Sequence, residues 1–418
     1  MLSSRAAKNL EELERPWRFT PTQTYDADTN PQGLISFGTA ENGFRELPIE
    51  RNHQYTAASA CRQTSRLDPA PREPIDPEHI VVADSPTSLG NILGYNLAEP
   101  GEAILVSRPI YGRFELDYGV EAGLQIFYAD TSMDEAFSPD VVGKYEEALV
   151  AASSKGVTIR AVLIVNPHNP VGRCYPAGTL QAIAGFCNKH KLHLISDEVY
   201  ASSVFDTGDT AVVKFTSILS LGLTEFIDPN LVHVLYGFSK DFASGGLHLG
   251  FLATSNEQLR KACRMVLRLH SPSQAAVTIG TAILEDFSFV RNFTYKARQS
   301  LAVGYNITTS ALEHRGINYA KHGNAGFFIY VDLSPFLPRE GSSIQAREFA
   351  LAQKFVDAGV FLHPGEEHGK DPGWFRLVFS QEPGVLKEGL RRYSDRKVYT
   401  SRALPTGLIN ALAGYLVF

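Results

Sequence analysis

The stretch RAVLIVNPHNP, Arg160–Pro170, decides how the chain is read. Ala161 to Val165 are apolar without a break, and the run stops at the turn pair Asn166-Pro167. A strand with one wet face alternates apolar and polar residues, whereas a strand buried on both faces reads as a continuous apolar run. The same texture recurs outward from this stretch in HIVVADS (79–85), EAILVSRP (102–109), GLQIFYAD (123–130), HLISDEVY (193–200), LVHVLYGFS (231–239) and HLGFLATS (248–255). Between these runs lie helical patterns: PTSLGNILGYNLAEPG (86–101), AGTLQAIAGFCNKHK (177–191) and NEQLRKACRMVLRLH (256–270). Apolar runs alternating with helices predict an α/β architecture, a mainly parallel sheet covered by helices on both faces. Ligands in such folds sit at the carboxyl ends of the strands. The polar residues just past those ends are therefore the candidates: Asn166 and Asn169, Asp197 and Tyr200, and Ser239 with Lys240.

Beyond about residue 290 the texture changes. A long helical stretch, 288–316, precedes GFFIYVDLSPFL (326–337), the helix-like SIQAREFALAQKFVDAG (343–359), VFLHPGE (360–366) and WFRLVFS (374–380), which together predict a smaller α/β unit. A proline-rich segment, LDPAPREPIDPEHI, leads into the larger unit. The expected division is an N-terminal arm with part of the small domain over 1–75, a large domain over 76–290 and a small C-terminal domain over 291–418.

The 418 residues carry 39 Lys and Arg against 45 Asp and Glu, a net charge of −6 that gives no electrostatic footprint for nucleic acid or an anionic membrane. Small-molecule chemistry is the expectation. Cys61, Cys174, Cys187 and Cys263 form neither a CxxC pair nor a metal-ligand spacing, so no metal site is expected and a reducing cytoplasm fits. The charged start, MLSSRAAKNLEELERPWRF, has no apolar core of a leader, and the apolar LINALAGYLVF at 408–418 is too short to span a bilayer.

VNPHNPVG, then ISDEVY, then SKDF place an Asn, an Asp with a Tyr three positions on, and a Lys at successive strand ends. In this ordered set the sequence resembles the class I/II pyridoxal-phosphate-dependent aminotransferases of fold type I. NPQGLISFGTAEN (30–42), SRPIYGRFELD (107–117) and PGWFRLVFS (372–380) make it similar to the 1-aminocyclopropane-1-carboxylate synthase-like branch. The resemblance runs over roughly residues 28–395. It implies a fold type I transferase, a large cofactor-binding domain with a smaller α/β domain, acting as a homodimer on an amino acid.

By that resemblance Lys240 forms the Schiff base with pyridoxal 5'-phosphate and then serves as acid and base at the substrate α-carbon. Asp197 keeps the ring nitrogen protonated, Asn169 and Tyr200 donate to the ring's phenolic oxygen, and Tyr111 stacks on the ring. Arg376 holds the substrate α-carboxylate with its guanidinium fork, and Glu41 matches a position near the substrate's amino-acid end. Taken singly, each has a plainer reading: Asn169 as a turn residue before Pro170, Asp197 as a cap, Arg376 as a strand charge, the tyrosines as core aromatics, Asn42 as a helix cap. Tyr55 is a poor match to the tyrosine that the synthases lend to a neighbouring subunit, and the region after Asn52 is short.

The resemblance fails at the cofactor phosphate. Gly237 stands where a hydroxyl is usual, His248 where an arginine is usual, and Pro86 removes a backbone N–H at the helix start. Ser85, Thr87, Ser88, Ser239 or Ser244, with His248, are the remaining anion partners, which predicts a histidine-dependent, pH-sensitive grip. Two functions follow as expectations: Cα deprotonation leading to transamination or to synthase- or lyase-type elimination or substitution, or a catalytically impaired relative serving as a dimeric binding or scaffold protein.

Overall fold

A computed structural model describes residues 25–38, 75–365, 369 and 371–393. Glu41, Asn42, Asn52, Tyr55, Cys61 and the 408–418 segment lie outside the described residues. The strands are β1 (Ile35–Ser36), β2 (Ile80–Ala83), β3 (Ala103–Arg108), β4 (Gln125–Asp130), β5 (Ile159–Val165), β6 (His193–Asp197), β7 (Val232–Gly237), β8 (Gly250–Thr254), β9 (Phe328–Asp332), β10 (Val360–Phe361) and β11 (Trp374–Val378). The helices used below are α1 (Pro86–Leu97), α2 (Phe114–Asp117), α3 (Val141–Ser154), α4 (Ala177–His190), α5 (Phe238–Asp241), α6 (Glu257–Val266), α7 (Gln274–Glu285), α8 (Phe287–His314), α9 (Ile344–Asp357) and α10 (Pro383–Tyr393).

Seven strands form one sheet in the order β2-β8-β7-β6-β5-β3-β4. Only β8 runs against its neighbours β2 and β7; the β7-β6-β5-β3-β4 pairs are all parallel. The continuous apolar runs have the cause expected of them. On β5, Val162 and Ile164 enter one core with Ile183 and Leu180 of α4 and Val141 of α3, while Ala161, Leu163 and Val165 enter the opposite core with Leu89, Ile92 and Leu93 of α1. Each such Val, Leu or Ile side chain contributes about 1.5–3 kcal/mol of burial free energy, so an alternating pattern would leave one helical layer without adhesion.

A further core forms around β9 and β11, an antiparallel pair, with α8, α9 and α10. Into it reaches the N-terminal segment. β1 pairs parallel with β10 at Ile35–Val360 and Ser36–Phe361, Phe37 N–H donates to the Phe361 carbonyl at 2.8 Å, and Val378 N–H donates to the Phe37 carbonyl at 2.8 Å. Tyr200, just past β6, is buried in that same core. Its ring meets Phe327 and Phe328 edge-on at 5.4 and 5.2 Å. No helix among the described residues is long and apolar enough to cross a membrane.

Candidate active site

A cavity of about 490 Å³ opens where β5, β6 and β7 end and α1 begins. Asp197 closes β6 and pairs in register with Val165 of β5 and Leu235 of β7, so its carboxyl is placed by the centre of the sheet. Lys240 follows within α5, directly after β7, and lines the same cavity as Asp197. Burial pushes the Asp197 carboxyl up to about 6, against a hydrogen bond donated by Val199 N–H at 3.2 Å and the attraction of the Lys240 charge. Tyr111, Asn169, Tyr200, Ser239, Thr87, Pro86, His248 and Arg376 line the cavity with them. Burial pushes the Tyr200 phenol far up, so its O–H remains a donor at neutral pH.

Arg376 reaches the cavity from β11 with only 5% of its surface exposed. Its Nη1 donates to Asn169 Oδ1 at 3.1 Å and its Nη2 to the Gly38 carbonyl at 2.7 Å. The guanidinium is thereby fixed between the loop after β5, the strand β11 and the N-terminal segment. Its Nε is buried without a hydrogen-bond partner among the described residues, and each terminal nitrogen keeps a second N–H. Asn166 does different work: its Nδ2 donates to the Thr216 carbonyl at 2.9 Å and its Oδ1 accepts from Tyr175 N–H at 3.1 Å, bracing the loop.

The other end of the cavity is built from backbone. A Cβ on Gly237 would lie 2.5 Å from Pro86 Cγ and 3.0 Å from the Leu249 carbonyl oxygen, and one on Gly250 would lie 2.6 Å from Pro86 N. The proline ring thus occupies the space a side chain at 237 would need. His248 sits in the left-handed region, φ 49°, and faces the cavity. Three expected anion partners, Ser85, Ser88 and Ser244, are already engaged. Ser88 N–H donates to Ser85 Oγ at 3.0 Å and the Ser85 hydroxyl donates to Ser88 Oγ at 2.9 Å, which caps α1. The Ser244 hydroxyl donates to the Phe242 carbonyl at 2.8 Å. Neither Ser88 nor Ser244 lines the cavity, whereas Ser239 and Thr87 do.

The cavity also contains Arg113, Asp117, Tyr118 and His363, which the sequence reading passed over. Burial, then the charge of Asp197, push the Asp117 carboxyl up to about 7, with Arg113 pulling the other way. A signal was available: Asp117 closes the SRPIYGRFELD stretch that already supplied Tyr111.

The sequence profile described as "Aminotransferase class I and II" matches residues 53–392. The chain belongs to this family. Among aminotransferase class I and II relatives and neighbours, the 1-aminocyclopropane-1-carboxylate synthase-like protein 1 of Bos taurus is 31% identical over 91% of this chain and 80% of its own length. The "Probable aminotransferase sirI" of Leptosphaeria maculans is 30% identical over 80% of this chain and 79% of its own length. A Thermus thermophilus aspartate aminotransferase tetra mutant superimposes with a TM-score of 0.72 at 19% identity, covering 95% of this chain and 99% of the other. The shared fold is fold type I, and aminotransferase class I and II proteins depend in general on pyridoxal phosphate.

Proposed function

We propose that this chain is a pyridoxal-phosphate-dependent enzyme that removes the α-proton of an amino acid, the step shared by transamination and by synthase- or lyase-type reactions. The convergence of Lys240, Asp197, Asn169, Tyr200 and Arg376 in one 490 Å³ cavity carries this reading. The donor set fits the cofactor: an amine for its aldehyde, a buried carboxylate for its ring nitrogen, an aromatic ring at Tyr111, and Thr87, Ser239 and His248 at the anion end. When bound, pyridoxal phosphate supplies an aldehyde that condenses with amines and a conjugated ring that accepts an electron pair from the substrate α-carbon.

The side chains do the rest. Lys240 Nζ receives the α-proton and returns it, with Asp197 holding negative charge against the ring nitrogen. Arg376 takes the substrate carboxylate through its uncommitted N–H groups and excludes water there, being nine-tenths buried with its position fixed by Asn169 and Gly38. Asn169 and Tyr200 orient the ring edge, and Glu41 belongs to this reading as a substrate-side residue outside the described segments. The large domain of 76–290 holds the cofactor in this reading, with 1–75 and 291–418 around the substrate. Cytoplasmic placement is supported by the free, buried thiols of Cys174, Cys187 and Cys263. A homodimer is supported by exposed apolar side chains on and beside α6 and α7: Leu269 at 83%, Met265 at 69% and Ile279 at 42%.

The test is deuterium exchange at the α-carbon across a panel of amino acids in heavy water, with purified protein loaded with pyridoxal phosphate. Exchange with at least one amino acid, lost in Lys240→Ala, is the expected result. A loaded protein that exchanges none overturns the enzyme reading and leaves the scaffold function. Keto acid, ammonia and released thiol in the same panel identify the branch that follows.

A further inference from the structure

Among the described residues, Asp117, Asp197, Glu198 and Asp241 are carboxyls that burial pushes up near the sheet's carboxyl end, and they differ in what holds them. Asp241 accepts from Ser202 N–H at 2.8 Å, Ser203 Oγ at 2.5 Å and the Tyr236 hydroxyl at 2.9 Å. Glu198 accepts from the Ser196 hydroxyl at 3.0 Å and Ile218 N–H at 2.9 Å, and Asp197 accepts from Val199 N–H. The Asp117 carboxyl accepts no hydrogen bond among the described residues, although it lines the cavity with Asp197 and Lys240. Next to it the buried Tyr118 hydroxyl also lines the cavity without a hydrogen-bond partner among the described residues. An ionisable group facing a ligand pocket with nothing to satisfy it is a functional candidate.

Asp197 approaches Asp117 from β6, Arg113 from the start of α2 itself, and Lys240 from α5 across the cavity. Tyr118, next in the chain, feels the Asp117 charge, and Tyr111, His248, His363 and Arg376 line the same cavity; on the neighbouring β4, Tyr128 and Asp130 are engaged with Glu115 and Arg108. Two carboxyls lining one cavity do not both ionise readily when burial already disfavours their charge, and Asp197 has the better claim to the charge through Val199 N–H and Lys240.

We propose that Asp117 is a positioning residue that holds the proton of this pair, keeping one negative charge, on Asp197, toward the ring nitrogen of a pyridine-type ligand. It rests on the cofactor reading above. When Asp117 releases its proton to solvent, a second negative charge faces the same ring and the ring nitrogen keeps its own proton to higher pH.

The sign of the pH effect follows. Burial and Asp197 raise Asp117 from 3.8 to about 7, so stability that is full below the lower value is lost progressively as pH rises through the upper one. Wild-type, Asp117→Asn and Asp117→Ser proteins without cofactor are melted across the pH range. The variants are expected to gain several degrees over wild type at about pH 8 and nothing at about pH 4. Glu198 and Asp241 titrate in all three proteins and cancel in the difference, whereas Asp197, coupled to Asp117, contributes to the difference as the other member of the pair. An offset that does not change with pH overturns the proposal. With pyridoxal phosphate bound, the visible absorption of wild type is expected to show a step near neutral pH that both variants lack; the same step in all three proteins equally overturns it. Wild-type protein that takes up no cofactor strikes the cofactor reading instead, and the melting difference still decides whether Asp117 holds the proton.

Discussion

The two ends of the cavity are made differently. At the Arg376 end, side chains from separate elements are tied to one another: Arg376 to Asn169 and to the Gly38 carbonyl, Tyr200 wedged edge-on against Phe327 and Phe328. At the Pro86 end, backbone lies against backbone, with the Pro86 ring over Gly237 and Gly250 against the start of α1. One end is specified by polar contacts that fail singly when a partner is removed. The other is specified by shape, where residues can change only in compatible pairs.

That contrast can be broken or sharpened in four ways, in decreasing order of expected effect. Replacing Lys240 by alanine removes the group assigned to α-proton transfer and should lower exchange by about 10²–10⁴-fold, read by the rate of deuterium incorporation. Arg376→Lys loses the fork and the bond to Asn169 together. Two charge-assisted hydrogen bonds at about 1.5 kcal/mol each correspond to roughly 10²-fold weaker amino-acid binding, measured as the dissociation constant of a non-reacting carboxylate analogue.

Gly237→Ser tests the shape-specified end. The new Cβ meets Pro86 Cγ, and overpacking of this kind costs about 1–3 kcal/mol in a denaturant melt. Pro86→Ala in the same chain should recover most of that loss; two additive penalties would show the positions to be independent. The smallest effect is expected from His248→Arg. A guanidinium gains on a phosphate, but the left-handed backbone at φ 49° limits its approach, so cofactor affinity should rise only a few-fold, roughly 1 kcal/mol. Unchanged or weaker binding would show that His248 does not meet the phosphate.

How much of this could be read from the sequence divides along the same line. Strand runs were legible because both faces of β5 are buried, and the strand-end residues Lys240, Asp197, Asn169 and Tyr200 were legible because strand ends are where such a sheet opens. The reversal of β8 was not, since the run HLGFLATS reads the same in either direction. Nor was the capture of the Ser88 hydroxyl by the α1 cap, because a serine near a helix start is both a cap partner and a ligand donor until the local geometry chooses. Asp117 escaped notice because a carboxylate on a short helix usually faces water, and only the fold turns this one inward.

The pairing of β1 with β10 sets a timetable. Ser36 leaves the ribosome more than three hundred residues before its partner Phe361. At about 5–20 residues per second the interval is roughly a quarter of a minute to a minute. During synthesis the seven-stranded sheet, whose strands all lie between Ile80 and Thr254, has its full complement while the N-terminal segment still lacks β10, and the Gly38 carbonyl has no Arg376 to receive. Lys240 is therefore made long before Arg376, and the newborn chain holds the sheet side of the cavity without its arginine wall until β11 arrives.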